Sequence, residues 1–395
     1  MSASPRLSVL AIPILAVMTG NAALSLDMYL PAFPSIANDL GVAESAVQQT
    51  MATFLFGFAF GQMIYGPLSD SLGRRTVILI GLTLYGLIST FCALSTDIHD
   101  LTFYRLIQGL AGASGSVLGR AVIRDVYHGP ELTKALSLLM LVLTAAPMAA
   151  PLIGAAVLDI WDWRAIFWTL SAYACLWCFL IILFVPETLA KDKRVTLNLS
   201  FLITATREVL SHKQAMGYIL SASLGFAGMF AYITATPFIY MNIFGIKPSG
   251  YALFFAANIL SMAIFSFFNR RIASHTPLPK LMIYNIWVLI ISAVVLLFNS
   301  IMGIGGVWGL AIPLFFFVGC LSPMAANGIS GTLEPFGKFA GTASSIFGLF
   351  QFGLGSLSGF LVSLLNDGTQ MPMAYIIFGC AVLSVMVFTL SRKGS

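Results

Sequence analysis

Charge is what this sequence has least of. Asp, Glu, Lys and Arg make up only 9% of its 395 residues, against about a quarter in soluble domains. That scarcity excludes a water-soluble globular protein, because so few charged groups cannot cover its surface. The four histidines, His99, His128, His212 and His275, fall in or beside separate loops, so no metal-ligand cluster is expected. No Ser/His/Asp spacing and no phosphate-cradling loop appears either, which argues against an enzyme. Cys92, Cys175, Cys178, Cys320 and Cys380 all lie inside apolar runs, so no disulfide framework is implied. Cys175 and Cys178 have CxxC spacing, but with no His or carboxylate nearby they read as small apolar packing. No cofactor is expected. The net charge of +5 does not point to nucleic acid, because the basic residues sort by loop.

Hydrophobic residues are abundant. They make up 58% of the chain, including 32 Phe, and the mean hydropathy is +0.93. A crossing of the bilayer takes about 20 mostly apolar residues. Twelve spans are expected, over 8–30, 46–68, 75–95, 101–122, 135–158, 164–185, 214–242, 249–268, 279–299, 304–327, 341–365 and 372–390. The first follows Arg6 as a signal-peptide core would, but it runs too long and ends in Asp27 and two prolines.

Orientation follows from Lys and Arg. Alternate loops receive Arg74 and Arg75; Arg120, Arg124 and Lys134; Lys191, Lys193, Arg194, Arg207 and Lys213; Arg270, Arg271 and Lys280; and Lys338. Arg6 and the pair Arg392 and Lys393 fall on the same side, while the opposite side keeps only Arg164 and Lys247. Both termini are therefore expected to be cytoplasmic. The longest polar stretch, 187–213, contains SFLITATREVLSHK, which reads either as an amphipathic helix on the membrane surface or as a solvated linker. It divides the chain into two bundles of six spans, residues 1–186 and 214–395, with a site expected between them near the midplane.

Two ionisable residues fall within spans. Asp27 is the acid that the pattern forces into the first span, and an intramembrane acid reads by default as functional. The alternative is a carboxylate near the interface that caps a helix end before Pro31 and Pro34. Arg105 lies about five residues into the fourth span from the outer side, so it is expected to face the bundle interior or to snorkel outward. A polar network joining Asp27 and Arg105, direct or through water, is expected, with Gln108, Gly109 and Gly112 on the same face. Rows of Gly and Ala on spans four, five and eleven predict close helix packing. Gln108, Met148, Phe226, Phe230, Tyr232, Phe254, Asn258 and Gln351 are candidates for an apolar substrate pocket with few polar groups.

Between spans two and three the chain reads Gly66-Pro67-Leu68-Ser69-Asp70-Ser71-Leu72-Gly73-Arg74-Arg75. This frame resembles the signature loop of the major facilitator superfamily. Arg105 in LTFYRLIQGLAGA resembles its fourth-span arginine motif, and TAAPMAAPLIGA resembles the fifth-span motif of drug–proton antiporters. LSLDMYLPAFP, FAGMFAYITATPFIY and GTASSIFGLFQFG narrow the resemblance to the Bcr/CflA subfamily of bacterial drug exporters. Ser71, Ala146 and Ala155 depart from the usual pattern without threatening the class.

The resemblance implies an all-α membrane protein of two pseudo-symmetric six-helix bundles in the bacterial inner membrane. It implies a proton-coupled exporter of phenicol- or bicyclomycin-type drugs, with protons, drug and bilayer as partners; a monomer is expected. It also implies a cytoplasmic gate in which Arg74 pairs with Asp125 and Asp70 faces Gly341 and Thr342, within the Gly66–Gly73 frame. The bland alternative for that gate is a solvated surface pair. The superfamily frame also admits a proton-coupled importer or exporter of a small metabolite, against which the span-one, span-seven and span-eleven matches argue.

Overall fold

The computed structural model describes residues 11–127, 129–194, 199–336 and 340–392. Arg6, His128, Lys338, Lys393 and the start of the expected first span lie outside the described residues. Where the sequence predicts one helix over 8–30, the chain forms short pieces: α1 (Ala11–Thr19), α2 (Asn21–Asp27), a 3₁₀ turn (Leu30–Ala32) and α3 (Phe33–Leu40). Pro31 begins the break, since it has no N–H to give the preceding turn. Pro34 is tolerated in the first turn of α3, where that N–H would have no partner anyway. Helix α3 carries the span past its apolar core because Phe33, Ile36 and Ala37 recur on one buried face.

The remaining helices follow the hydropathy closely. They are α4 (Glu44–Leu72), α5 (Arg74–Leu94), α6 (Ile98–Val126), α7 (Gly129–Ile160), α8 (Arg164–Phe184), α9 (Leu199–Ser211) and α10 (Lys213–Phe238). After a π-helical turn (Ile239–Ile243) come α11 (Pro248–Ala273), α12 (Leu278–Met302), α13 (Gly306–Leu333), α14 (Ala340–Leu364) and α15 (Met371–Arg392). Among the described residues, twelve segments are long and apolar enough to cross a membrane. Several run a turn beyond the expected bounds, because continuing the helix keeps backbone groups paired past the apolar core and moves the unpaired end groups toward water. α9 falls in the polar linker and buries Ala205 and Val209, four residues apart on one face.

The chain divides into two compact units. One contains the segment ending at Leu40 and Thr53–Leu199; the other contains Gly41–Ala52 and Ser200–Ser395. In the first, α5 packs on α6 and α8, and α1 packs on α6 and α7. α4 approaches α6 so closely that a methyl at Gly57 would overlap the Leu106 carbonyl and one at Gly109 the Phe54 backbone. In the second, α10 packs on α13, α14 and α15, while α13 also holds α11 and α12. The first turns of α4 belong to this second unit. Ser356 and Ser363 donate to the carbonyls of Ala52 and Ser45, each at 2.7 Å, and the Asn242 amide donates to Glu44.

Candidate functional site

Asp27 closes α2, at the break where the backbone turns into the 3₁₀ segment. Its side chain is 5% exposed. Among the described residues it has no hydrogen-bond or ion-pair partner within the usual distances. Arg105 is fully buried on α6, so it does not snorkel.

The expected direct link between Asp27 and Arg105 is not formed. Arg105 Nη1 donates to the Ser25 carbonyl at 3.2 Å and to Gln108 Oε1 at 2.7 Å. Arg105 reaches α2 through the Ser25 backbone carbonyl rather than through the Asp27 carboxylate, and its Nε and Nη2 have no hydrogen-bond partner among the described residues. The guanidinium is also sandwiched by rings, lying 4.6 Å from the Tyr29 centroid and 4.3 Å from that of Phe54. Such contacts favour a desolvated cation by about 2 kcal/mol or more.

A buried hydrogen-bond chain continues from this point. Gln108 Nε2 donates to Ser89 Oγ at 2.7 Å, and Ser89 Oγ donates to the Tyr85 carbonyl at 2.7 Å. The Tyr85 and Ser25 hydroxyls share a hydrogen bond of 2.6 Å, and Ser25 Oγ also donates to the Asn21 carbonyl at 2.7 Å. The chain ties α2 to α5 and α6 and holds the helix that carries Asp27. Gln108, expected to touch substrate, instead has both ends of its amide engaged by protein. Asn21 is fully buried, with neither amide atom partnered. Ser25, Tyr85 and Ser89 gave no signal in sequence, since isolated hydroxyls in apolar spans are common packing residues.

At the junction of α4 and α5, Arg74 Nη1 lies 2.5 Å from Asp70 Oδ1 and Arg74 Nε lies 2.9 Å from Asp125 Oδ2. Gly73 carries φ +103°, a conformation that favours glycine. A methyl there would also run into the Glu187 carboxylate. Glu187 Oε1 accepts from the Arg74 backbone N–H at 2.9 Å, so a residue more than a hundred positions away caps α5 and complements its dipole. Sequence reading missed Glu187, which looked like the polar start of a linker. Gly66 sits in open space.

The pocket candidates separate. Phe254 and Asn258 line a cavity of about 260 Å³ between α11 and α13, together with Trp308, Ile312, Phe315 and Phe316. Asn258 Nδ2 donates to the Tyr232 hydroxyl at 2.8 Å, and Phe254 stacks on Tyr240. Phe230 is buried against Gly355 and Phe352, which makes it packing. Phe226 and Gln351 are half-buried on α10 and α14, and Met148, on α7 of the first unit, is 42% exposed.

Comparison with known proteins agrees with this architecture. The family model of the Major Facilitator Superfamily matches residues 15–360. The chain is 33% identical to the bicyclomycin resistance protein homolog of Haemophilus influenzae, covering 92% of this chain and 91% of that one. It is 31% identical to the chloramphenicol resistance protein of Pseudomonas aeruginosa, over 94% and 87%. The crystal structure of the nucleoside transporter NupG shares the fold at a TM-score of 0.77, with 14% identity over 97% of this chain and 99% of that one. The family model spans most of the chain and these relatives are covered nearly end to end, and the chain belongs to the major facilitator superfamily, within its Bcr/CflA subfamily.

Proposed function

We propose that this chain exports neutral or zwitterionic drug-like amphiphiles, of the phenicol and bicyclomycin kind, in exchange for protons. Relatives named for resistance to bicyclomycin and chloramphenicol support the substrate class. The observation that carries proton exchange is Asp27, a nearly inaccessible carboxyl at a helix break without a partner among the described residues. An ionised carboxylate so placed is costly, so a closed site favours its neutral form and contact with water favours release of the proton. Arg105, fixed by Ser25 and Gln108, adds a constant positive field that keeps the ionised form within reach.

Drug binding favours or displaces one protonation state of Asp27, and that linkage is the coupling. One proton moving inward supplies about 2.3 kcal/mol per 100 mV, plus about 1.4 kcal/mol per pH unit. That is enough to concentrate a neutral solute tens- to hundreds-fold.

The protein acts as a monomer in the bacterial inner membrane, with both termini cytoplasmic and no enzymatic step. Two six-helix bundles, 1–186 and 214–395, alternate access around the linker 187–213. The Arg74, Asp70 and Asp125 cluster serves as the cytoplasmic gate. The test is a drug-panel susceptibility assay in a pump-deleted bacterium, comparing wild type with Asp27→Asn. Wild type should raise resistance to phenicols, and in everted vesicles drug addition should dissipate an imposed pH gradient. Asp27→Asn should lose both, and uphill proton-dependent efflux by that variant would refute the coupling role.

A further inference from the structure

Along α6, Arg105, Gly109, Gly112, Ser116 and Arg120 recur at three- and four-residue steps and share one side of the helix. Within the first unit this side runs between two neighbouring helices, a groove covered at Gly112 by Tyr85 and Asn21. One wall is α4, which meets α6 through Gly57 and Gly109. The other is α1, whose Met18 carbonyl closes on Gly115 and whose Thr19 closes on Gly119. Burial along the stripe is graded: Arg105, Gly109 and Gly112 are buried, Ser116 is half-buried and Arg120 is exposed. The groove therefore opens toward the end of α6 that carries Arg120, about 22 Å from Arg105 at 1.5 Å per residue.

Arg120 is oriented but uncompensated. Its Nε donates to the Ser116 carbonyl at 3.1 Å, which directs the guanidinium along the groove. Among the described residues no carboxylate lies within ion-pair distance of it. Arg124, one turn further on, is exposed and unpaired by the same criterion, and adds charge of the same sign. Arg74, by contrast, takes both nearby carboxylates, Asp70 and Asp125. Across the groove, buried Gln62 on α4 donates its Nε2 to Ser116 Oγ at 3.0 Å, so Gln62 and Arg120 both bond Ser116. The result is a positively charged wall, with an amide bonded to the same turn and no carboxylate within ion-pair distance of Arg120 among the described residues.

We infer that Arg120, with Gln62 and Ser116, forms a selecting station that takes a hydrogen-bond acceptor or anionic group of the transported compound. Resting on the drug-export reading above, it narrows the substrate class to molecules bearing carbonyl, nitro, hydroxyl or carboxylate groups and discriminates against organic cations. Planar guanidinium donors suit such groups bidentately, and a like charge at this distance opposes a cation. A lipid phosphate would satisfy the same donors, so the test separates that source.

The experiment uses the full chain, purified and reconstituted, as wild type, Arg120→Lys, Arg120→Gln and Gln62→Leu. Equilibrium binding and transport are measured for a phenicol and for an aromatic quaternary ammonium of similar size, in liposomes with and without anionic lipid. In Arg120→Gln the affinity for the phenicol relative to the cation should fall about 10- to 100-fold, the range expected for a lost charge-assisted hydrogen bond. Arg120→Lys should keep most of the preference, and Gln62→Leu should lose part of it.

An unchanged ratio in Arg120→Gln overturns the inference. So does a loss that is equal for both compounds and appears only with anionic lipid, because it assigns the guanidinium to a headgroup. Binding decides this inference, whereas failure of the wild type to drive phenicol uphill would instead sink the proton-exchange reading.

Discussion

The helices α4, α5 and α6 and the helices α11, α12 and α13 hold the same places in the two halves of the chain, as second, third and fourth spans. Their ends are joined by opposite chemistry. In the first unit the joint is ionic, with Arg74 between Asp70 and Asp125 and Glu187 capping α5. In the second it is neutral: Asn327 Nδ2 and Asn285 Nδ2 donate to Asn269 Oδ1 at 3.1 and 3.5 Å, and Asn269 Nδ2 returns a bond to Asn327 Oδ1 at 3.4 Å. The amide triad lies further inside its helices: Asn327 is six residues from the end of α13 and Asn285 seven residues into α12, whereas Asp70, Arg74 and Asp125 sit at helix ends. Water still reaches the ionic joint, whereas the amides hydrogen-bond at depth without the cost of burying a charge. A charged joint also responds to salt and to rearranged partners, which suits the half that we assign the cytoplasmic gate.

The sharpest way to break this contrast is Arg74→Ala. It strands two partly buried carboxylates, and it should lower the unfolding free energy in detergent by about 2–3 kcal/mol, below the cost of a fully buried pair because water still reaches Asp70. Asn269→Leu should cost less, about 1–2 kcal/mol, because it leaves the Asn327 and Asn285 amides short of an acceptor but strands no charge. A double-mutant cycle between Arg74 and Asp125 should weaken between 0.1 and 1 M salt, as the screening length falls from about 10 to about 3 Å. The cycle between Asn269 and Asn327 should hold steady, and equal salt sensitivity in both would remove the distinction. Glu187→Gln should cost about 0.5–1 kcal/mol through weaker capping of α5, measured by the same unfolding curves. Gly66→Ala is expected to change stability by less than about 0.5 kcal/mol, since its methyl would enter open space.

Legibility from sequence tracked the range of the interaction. Span number and the linker helix followed from hydropathy, and Asp27 and Arg105 stood out because charge in an apolar run has no ordinary reason. Their partners did not stand out. Arg105 is served by a backbone carbonyl and by Gln108, and a carbonyl has no letter in the sequence. Gln108 sat on the expected face yet was taken up by the buried network, a commitment decided by Ser89 on another helix. Phe230 and Phe254 read alike as aromatics in apolar spans; only packing against Gly355 in one case and a cavity in the other separated them.

Composition and periodicity by themselves determined a twelve-span membrane protein, the place of its linker, and which two ionisable groups a bilayer would make costly. Those properties depend on transfer of local segments from water, and each segment carries its own transfer free energy. Tertiary structure decided that Arg105 bonds the Ser25 carbonyl rather than Asp27, that Glu187 caps a distant helix, and that Arg120 has no carboxylate within ion-pair distance among the described residues. Each of these depends on which side of one helix meets another, and that is fixed by side-chain packing between spans far apart in the chain.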